Sequence, residues 1–164
     1  MDKKQITILG IGCTLLADQG FGVSMVQSLG EHYEFPDNIN LLDGGLLGVG
    51  LTGAIAQADY LIVIDSIRNN GHPGDIYRLE GQQILERLKA RNSVPQVEFL
   101  EALAHCQVLD APPQTVLFGI EPEDTESLVC EVTPVLREKM DAMTACVLDE
   151  LKSLGVACRN KERE

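Results

Sequence analysis

The sequence predicts an α/β fold, in which a parallel or mixed sheet is covered by helices on both faces. Segments with a strand-like pattern alternate with segments of helical periodicity along most of the chain. The clearest strand, at residues 60–65, is a continuous apolar run of the kind that is buried on both faces in the centre of a parallel sheet. The length of 164 residues suits one domain, so we expect a single domain over residues 1–164.

The first half of the chain alternates strands and helices. A β-rich run at residues 5–9 leads into a glycine turn, and apolar residues at helical spacing then predict a helix over 20–34. A short strand is expected at 39–42 before Asp43-Gly44-Gly45. The small and apolar residues at 46–58 favour a closely packed helix ahead of the strand at 60–65.

The second half continues this alternation. An edge strand is expected at residues 75–79, and a polar helix at 82–90. Ser93 and Gln96 have the spacing of a capping box, which predicts a helix over 93–106. A buried strand follows at 115–120. Thr133 as cap and Pro134 at the first position predict one long helix to about residue 154, after which the charged tail is expected to fray.

Composition and charge exclude several classes of function. A net charge of −12 disfavours nucleic acid and anionic membranes, and an aromatic content of 4 % disfavours a base-stacking surface. The sequence has five cysteines, an odd number, and no CxxC motif, which argues against a disulfide framework or a zinc ribbon. No apolar run has the length of a membrane span, and the N-terminus does not resemble a signal peptide. We therefore expect a cytoplasmic protein without nucleic-acid or membrane partners.

Three segments place glycines and acidic residues at the ends of predicted strands: residues 10–22, Asp43-Gly44-Gly45, and Asp65-Ser66. Ligands of α/β sheets sit outside the carboxyl ends of the parallel strands. Asp65 ends a strongly apolar strand, where a carboxylate is costly unless it meets solvent, a donor or a cation. We therefore expect these segments to converge on one site, with Asp65 as a functional residue.

The glycine turn after the first strand fits no nucleotide-binding pattern. A dinucleotide fingerprint needs a third glycine where Leu15 stands, and a Walker loop needs a following GK[ST]. A tight strand-to-helix turn is the alternative. Asp18 has two open interpretations, as a helix N-cap ahead of Gly20 or as a site residue. Asp43 either seats a turn or faces the site.

The order of these motifs resembles that of the [NiFe]-hydrogenase maturation endopeptidases. Members of that family have a first strand running into GxGNxLxxDxGxG, then DGG after the second strand, an apolar strand ending in Asp, a PG turn with an edge strand, and a helix beginning SxHQ. Here the corresponding stretches are GIGCTLLADQGFG, LLDGGLLG, YLIVIDSI, HPGDIYRL and SVPQVEFLEAL. The resemblance covers about residues 6–154. It implies a three-layer α/β/α fold with a twisted, mostly parallel central sheet.

The resemblance also implies a set of site residues. The family holds a cation with the acid after the first-loop aspartate, the strand-end aspartate and the helix histidine. Asp65 matches the strand-end position. The acid position is occupied by Gln19, and the histidine position by Pro95, or by Gln96 if the alignment shifts by one; Cys13 replaces the usual asparagine. Because neutral amides are poor ligands of nickel and zinc, we expect a degenerate metal site and no tightly bound metal.

Two functions follow from the resemblance. The first is an endopeptidase that removes the C-terminal peptide of the nickel-loaded hydrogenase large-subunit precursor, with the nickel carried by the substrate. The second is a non-cleaving homologue that binds the large subunit as a chaperone or partner. The candidate metal positions are Asp65 and Gln19, and the attacking group is not identified. The candidate substrate-binding residues are Asp18, Asp43, Gly44, Gly45, Pro95 and Gln96.

Overall fold

The computed structural model describes residues 3–47, 50–89, 94–108 and 112–163; the side chains of residues 46, 47, 88, 89, 94–96 and 107 lie outside this description. Its centre is a five-stranded sheet of order β3-β1-β4-β6-β5. The strands are β1 (Ile6–Gly10), β3 (Ile39–Asp43), β4 (Tyr60–Ser66), β5 (Ile76–Glu80) and β6 (Gln114–Ile120). Neighbours among β3, β1, β4 and β6 pair in parallel, and β5 pairs with β6 in antiparallel orientation. The predicted α/β class and the edge position of the strand near residue 76 are confirmed.

Helices cover both faces of this sheet, as predicted. On one face, residues of α1 (Phe21–His32), α6 (Pro134–Arg137) and α7 (Met140–Ser153) pack into a single apolar cluster with β1, β4 and β6. On the other face, the apolar cluster contains residues of α3 (Leu51–Ala56), α4 (Gln82–Lys89) and α5 (Val94–Val108). No helix in the described part of the chain is long and apolar enough to cross a bilayer.

The central strand β4 explains why the core has two halves. All seven of its residues are buried, which matches the continuous apolar run in the sequence. Ile62 and Ile64 point into one cluster and Leu61 and Val63 into the other, because successive side chains alternate across a strand. The sheet is therefore sandwiched between two apolar layers.

Three predicted elements differ from the structure. The helix expected over 46–58 corresponds to α2 (Gly44–Leu47) and α3, which ends at Ala56 and not at residue 58; residues 48 and 49 lie outside the description. The long helix expected from Thr133 is divided into α6 and α7, and Thr133 takes the N-cap position without a capping bond from its side chain. The tail does not fray throughout, because β7 (Arg159–Asn160) pairs with β2 (Tyr33–Glu34).

The strand register defines the edge of the sheet where a site is expected. Gly10, the last residue of β1, is opposite Asp43 on β3 and Ile64 on β4. Asp65 is in turn opposite Gly119 on β6. The carboxyl ends of the four parallel strands therefore meet at one edge, which we call the rim.

Candidate functional site

Residues 11–20 connect β1 to α1 and are called the first loop; together with the end of β1 they contact the start of α2 directly. A Cβ atom on Gly44 would lie 2.9 Å from the carbonyl oxygen of Gly10, and one on Gly45 would lie 3.2 Å from that of Gly12. Gly12 has a φ of +138°, and a Cβ there would lie 1.7 Å from the carbonyl oxygen of Gln19. The close backbone approach therefore requires glycine in the first loop. The Asp43 Oδ1 atom accepts a hydrogen bond of 2.9 Å from the Gly45 backbone N–H, so it seats the turn.

Asp65 lies where the sequence predicted, near the end of β4. Asp65 is only 2 % exposed. Hydrogen bonds fix the backbone on either side of it, from Ile11 N to Ile64 O at 3.0 Å and from Ile67 N to Ile120 O at 2.9 Å. The strand therefore holds the Asp65 carboxyl group at the rim as a buried polar group. Its assignment as a metal-contacting residue stays a prediction.

The side chain of Gln19, near the end of the first loop, acts as a hydrogen-bond donor. Its Nε2 atom donates to the backbone carbonyl oxygen of Thr125 at 3.0 Å. A carboxylate has only acceptor oxygens and cannot make this bond. The amide at the position that resembles a metal ligand therefore ties the first loop to a segment more than a hundred residues later.

Asp18 is fully buried and accepts four hydrogen bonds. Its Oδ2 atom receives the backbone N–H groups of Glu123 and Asp124, both at 2.9 Å, and the Thr133 hydroxyl at 3.0 Å. Its Oδ1 atom receives the Thr133 backbone N–H at 2.7 Å. The interpretation as N-cap of the first helix is wrong, since Gly20 occupies that position without a side-chain cap. All four donors to the Asp18 carboxylate belong to the same chain. A role of Asp18 in substrate binding stays a prediction.

Residues 121–133, which we call the covering segment, connect β6 to α6 and lie over the first loop. The buried Glu121 carboxylate accepts hydrogen bonds from Asn69 N (2.6 Å) and from the Tyr77 hydroxyl (3.2 Å). Burial, together with the nearby Glu121 charge, raises the pKa of Tyr77 to about 12. The Arg68 guanidinium donates to the Thr125 hydroxyl at 3.2 Å. The covering segment is therefore anchored by the loop after β4 and by β5, in addition to the first loop.

Sequence reasoning did not identify the covering segment. Its partners lie roughly fifty to more than a hundred residues away along the chain, so local periodicity carries no trace of these contacts. A local indication does exist within the segment. The Asp124 Oδ1 atom accepts the N–H groups of Glu126 and Ser127, both at 3.0 Å, which is a turn that Asp favours. Hydrogen bonds from Ser127 and Glu126 lower the pKa of Asp124.

Pro95 and Gln96 lie in the first turn of α5, which begins at Val94. Ser93, the proposed partner of Gln96 in a capping box, lies outside the described residues, as do the side chains of Pro95 and Gln96. The predicted roles of these residues therefore stay predictions.

The donor set of the described residues does not fit a bound transition metal. No group of three or more His, Cys, Asp or Glu side chains there is arranged to hold a metal ion. The five cysteines are all free thiols, and burial raises the pKa values of Cys106, Cys146 and Cys158, which disfavours the thiolate that metals prefer. The amide of Gln19 is a weak ligand beside a carboxylate or imidazole.

A family model described as "hydrogenase maturation protease", of the HycI type, matches residues 23–150. The chain belongs to the hydrogenase maturation protease family. It is 34 % identical to the hydrogenase expression/formation protein HupD of Thiocapsa roseopersicina, over 96 % of this chain and 72 % of that protein. It is 29 % identical to the hydrogenase 2 maturation protease of Escherichia coli, over 96 % and 97 % of the two chains.

Solved structures of this family share the fold. The hydrogenase maturating endopeptidase HybD of Escherichia coli superposes with a TM-score of 0.91 at 28 % identity, covering 98 % of this chain and 99 % of that one. A hydrogenase maturation protease HycI from Thermococcus kodakarensis gives a TM-score of 0.72 at 22 % identity over 92 % and 94 % of the chains, which shows the fold alone. The sequence-based prediction of a hydrogenase maturation protein resembling these endopeptidases is confirmed.

Proposed function

We propose that this chain acts on the precursor of a [NiFe]-hydrogenase large subunit after nickel insertion. The observation that supports this most is the match to the endopeptidase HybD over almost the whole of both chains. The rim loops that the family resemblance assigns to the site are also packed together, at Gly10, Gly12 and Gly44-Gly45. We further propose that nickel belongs to the precursor as substrate and that the chain holds no resident metal.

Removal of the C-terminal peptide is the first candidate activity. It is favoured by the buried Asp65 at the end of β4, the one metal-binding position of the family pattern that this chain retains. A buried carboxyl group at the rim can interact with a cation that the substrate brings. Among the described residues, no group of three or more His, Cys, Asp or Glu side chains could hold a metal ion, and we assign no attacking group.

Binding of the precursor without cleavage is the second candidate, and a different observation favours it. The Gln19 amide is used as a donor to Thr125, and a proline stands at the helix position that resembles a histidine ligand. Losing a partner of a metal ligand typically weakens metal affinity by about ten- to a hundredfold, and replacing two ligands weakens it further. Such a protein keeps the fold and the docking surface while losing metal-dependent cleavage.

One experiment separates these candidates. The purified chain is incubated with nickel-loaded precursor, the released peptide is sought by mass spectrometry, and complex formation is measured by calorimetry; nickel-free precursor and an active relative are the controls. Peptide release that Asp65→Asn abolishes supports the endopeptidase. A complex without release supports the binding function. Neither release nor a complex, while the relative cleaves, contradicts the proposed function.

The cytoplasm is the compartment that we propose. The five cysteines are free, and free thiols are typical of a reducing compartment. Thiol titration of the protein isolated from its native cells under alkylating conditions tests this. Five reactive thiols after denaturation are expected, whereas disulfide formation would contradict it.

A further inference from the structure

Three large apolar side chains are exposed in the first loop and the covering segment. Leu128 is 84 % exposed, Leu15 59 % and Val129 49 %. Single exposed apolar residues are normal on protein surfaces, but contiguous ones are typical of interaction sites. We call Leu15, Leu128 and Val129 the apolar rim patch.

Hydrogen bonds bring the two parts of this patch together. The Ala17 N–H donates to the Val129 carbonyl oxygen at 2.9 Å, so Leu15, Leu128 and Val129 each lie within two residues of a backbone contact between the first loop and the covering segment. Gln19 and Asp18 add the bonds to Thr125, Glu123 and Asp124 described above. The patch is therefore held in place by the backbone, which lowers the conformational entropy lost when a partner binds.

The surroundings of the patch are strongly acidic. Residues 121–133 contain five Asp or Glu and no Lys, Arg or His. Glu123, Glu126 and Glu131 among them are exposed. Glu131 contacts Arg137 at 3.4 Å, but both side chains are largely exposed and such pairs are weak. The exposed apolar residues of the covering segment are therefore flanked in sequence by exposed acidic residues, which we call the acidic border.

We propose that the apolar rim patch docks a segment of the large-subunit precursor that has apolar residues flanked by Lys or Arg. This inference rests on the proposed function and specifies how the partner is recognised. Charge complementarity across an interface increases the association rate and selects partners. A second copy of this chain is a poor occupant, because the net charge is −12 and the acidic borders would face each other.

The apolar part of the proposal is tested with matched variants. Leu128→Asp places a charge in the patch, and Val108→Asp makes the same kind of change at a side chain that is also 84 % exposed, at the end of α5. Because both side chains are largely in solvent, neither variant is expected to perturb folding, which thermal unfolding checks. Binding of the nickel-loaded precursor is then measured by calorimetry. Leu128→Asp is expected to weaken binding about tenfold or more, and Val108→Asp less than about twofold.

The acidic border is tested separately. Glu126→Lys reverses a charge in the covering segment, and Glu86→Lys does so at an exposed position of α4 on the other face of the sheet. Glu126→Lys is expected to slow association with the precursor at low salt more than Glu86→Lys, and the difference is expected to shrink at high salt. In a third measurement, the precursor is expected to slow alkylation of the exposed Cys130, which directly follows Val129.

These outcomes separate the docking surface from the proposed function. If the wild-type chain neither binds nor cleaves the precursor, the proposed function fails and this inference fails with it. If the wild-type chain binds, but Leu128→Asp and Glu126→Lys behave like their control variants and Cys130 is not protected, the docking surface is wrong while the proposed function stands.

Discussion

Replacing Asp18 by Asn removes the charge that holds the covering segment on the first loop. In the wild-type protein the carboxylate accepts four hydrogen bonds of 2.7–3.0 Å while fully buried. An asparagine keeps one acceptor oxygen. If that oxygen takes the place of Oδ2, the amide NH2 group of the asparagine takes the place of Oδ1 and faces the Thr133 N–H. Both groups are donors, so no hydrogen bond forms between them.

The cost follows from the number and type of these bonds. A hydrogen bond to a charged group contributes about 1 kcal/mol more to stability than a hydrogen bond between neutral groups. In the variant, the three bonds to Oδ2 become bonds to a neutral oxygen and each loses this difference. The Thr133 N–H loses its acceptor, at a further cost of about 1–3 kcal/mol. The free energy of unfolding is therefore expected to fall by about 4–6 kcal/mol. In a chain of this length that corresponds to a drop of roughly 8–24 °C in melting temperature.

Urea unfolding and backbone hydrogen exchange measure this effect. Exchange is expected to accelerate at the amides of Glu123, Asp124 and Thr133, which are the donors to the carboxylate. Asp149→Asn, at an exposed position on α7, is the matched control and is expected to change stability by less than about 0.5 kcal/mol. If Asp18→Asn matches this control in stability, and the three amides exchange as in the wild-type protein, the assignment of Asp18 as the anchor is refuted.

Three further predictions concern charge and metal affinity. Hydrogen bonds of 2.8 and 3.1 Å from Arg78 lower the pKa of Glu150 in the folded protein. The pair therefore stabilises the fold at pH values above the ordinary carboxyl pKa of 4.5. This stabilisation is lost as the pH falls through the lower pKa of the folded state. Glu150→Gln is therefore expected to flatten the acid limb of stability against pH in urea unfolding. Gln19→Glu cannot donate to Thr125 and is expected to lower the free energy of unfolding by about 1–3 kcal/mol near neutral pH, with partial recovery in acid where the carboxyl group is protonated. The double variant Gln19→Glu with Pro95→His is expected to bind Ni²⁺ more tightly than the wild-type chain in calorimetry, because it adds a carboxylate and an imidazole.

Each of these predictions has a contradicting result. An unchanged acid limb in Glu150→Gln would show that the Arg78 pair contributes nothing measurable, for which Glu86→Gln, at an exposed residue, is the control. Wild-type stability of Gln19→Glu at neutral pH would show that the Thr125 bond is dispensable. No gain in Ni²⁺ affinity in the double variant, or a gain that survives Asp65→Asn, would contradict the placement of the three positions around one site.

Local patterns in the sequence determined most of the secondary structure and the position of the rim. The run at residues 60–65 predicted a strand buried on both faces, and β4 is such a strand. The acid before two glycines predicted a turn, and Asp43 seats it. These features could be predicted because side-chain periodicity and turn chemistry act over a few neighbouring residues. The family motifs added the function, which composition alone did not contain.

Tertiary structure decided how the polar groups of the rim are used. Thr133 precedes Pro134 as a cap would, yet its hydroxyl donates to Asp18, a carboxylate 115 residues earlier. Gln19 in the first loop donates to Thr125 in the covering segment for the same reason. A buried donor or acceptor bonds to whichever complementary group the packed chain brings within about 3 Å, whatever its distance in sequence. The sequence by itself therefore indicated which residues carry polar groups at the rim, and only the folded chain selected their partners.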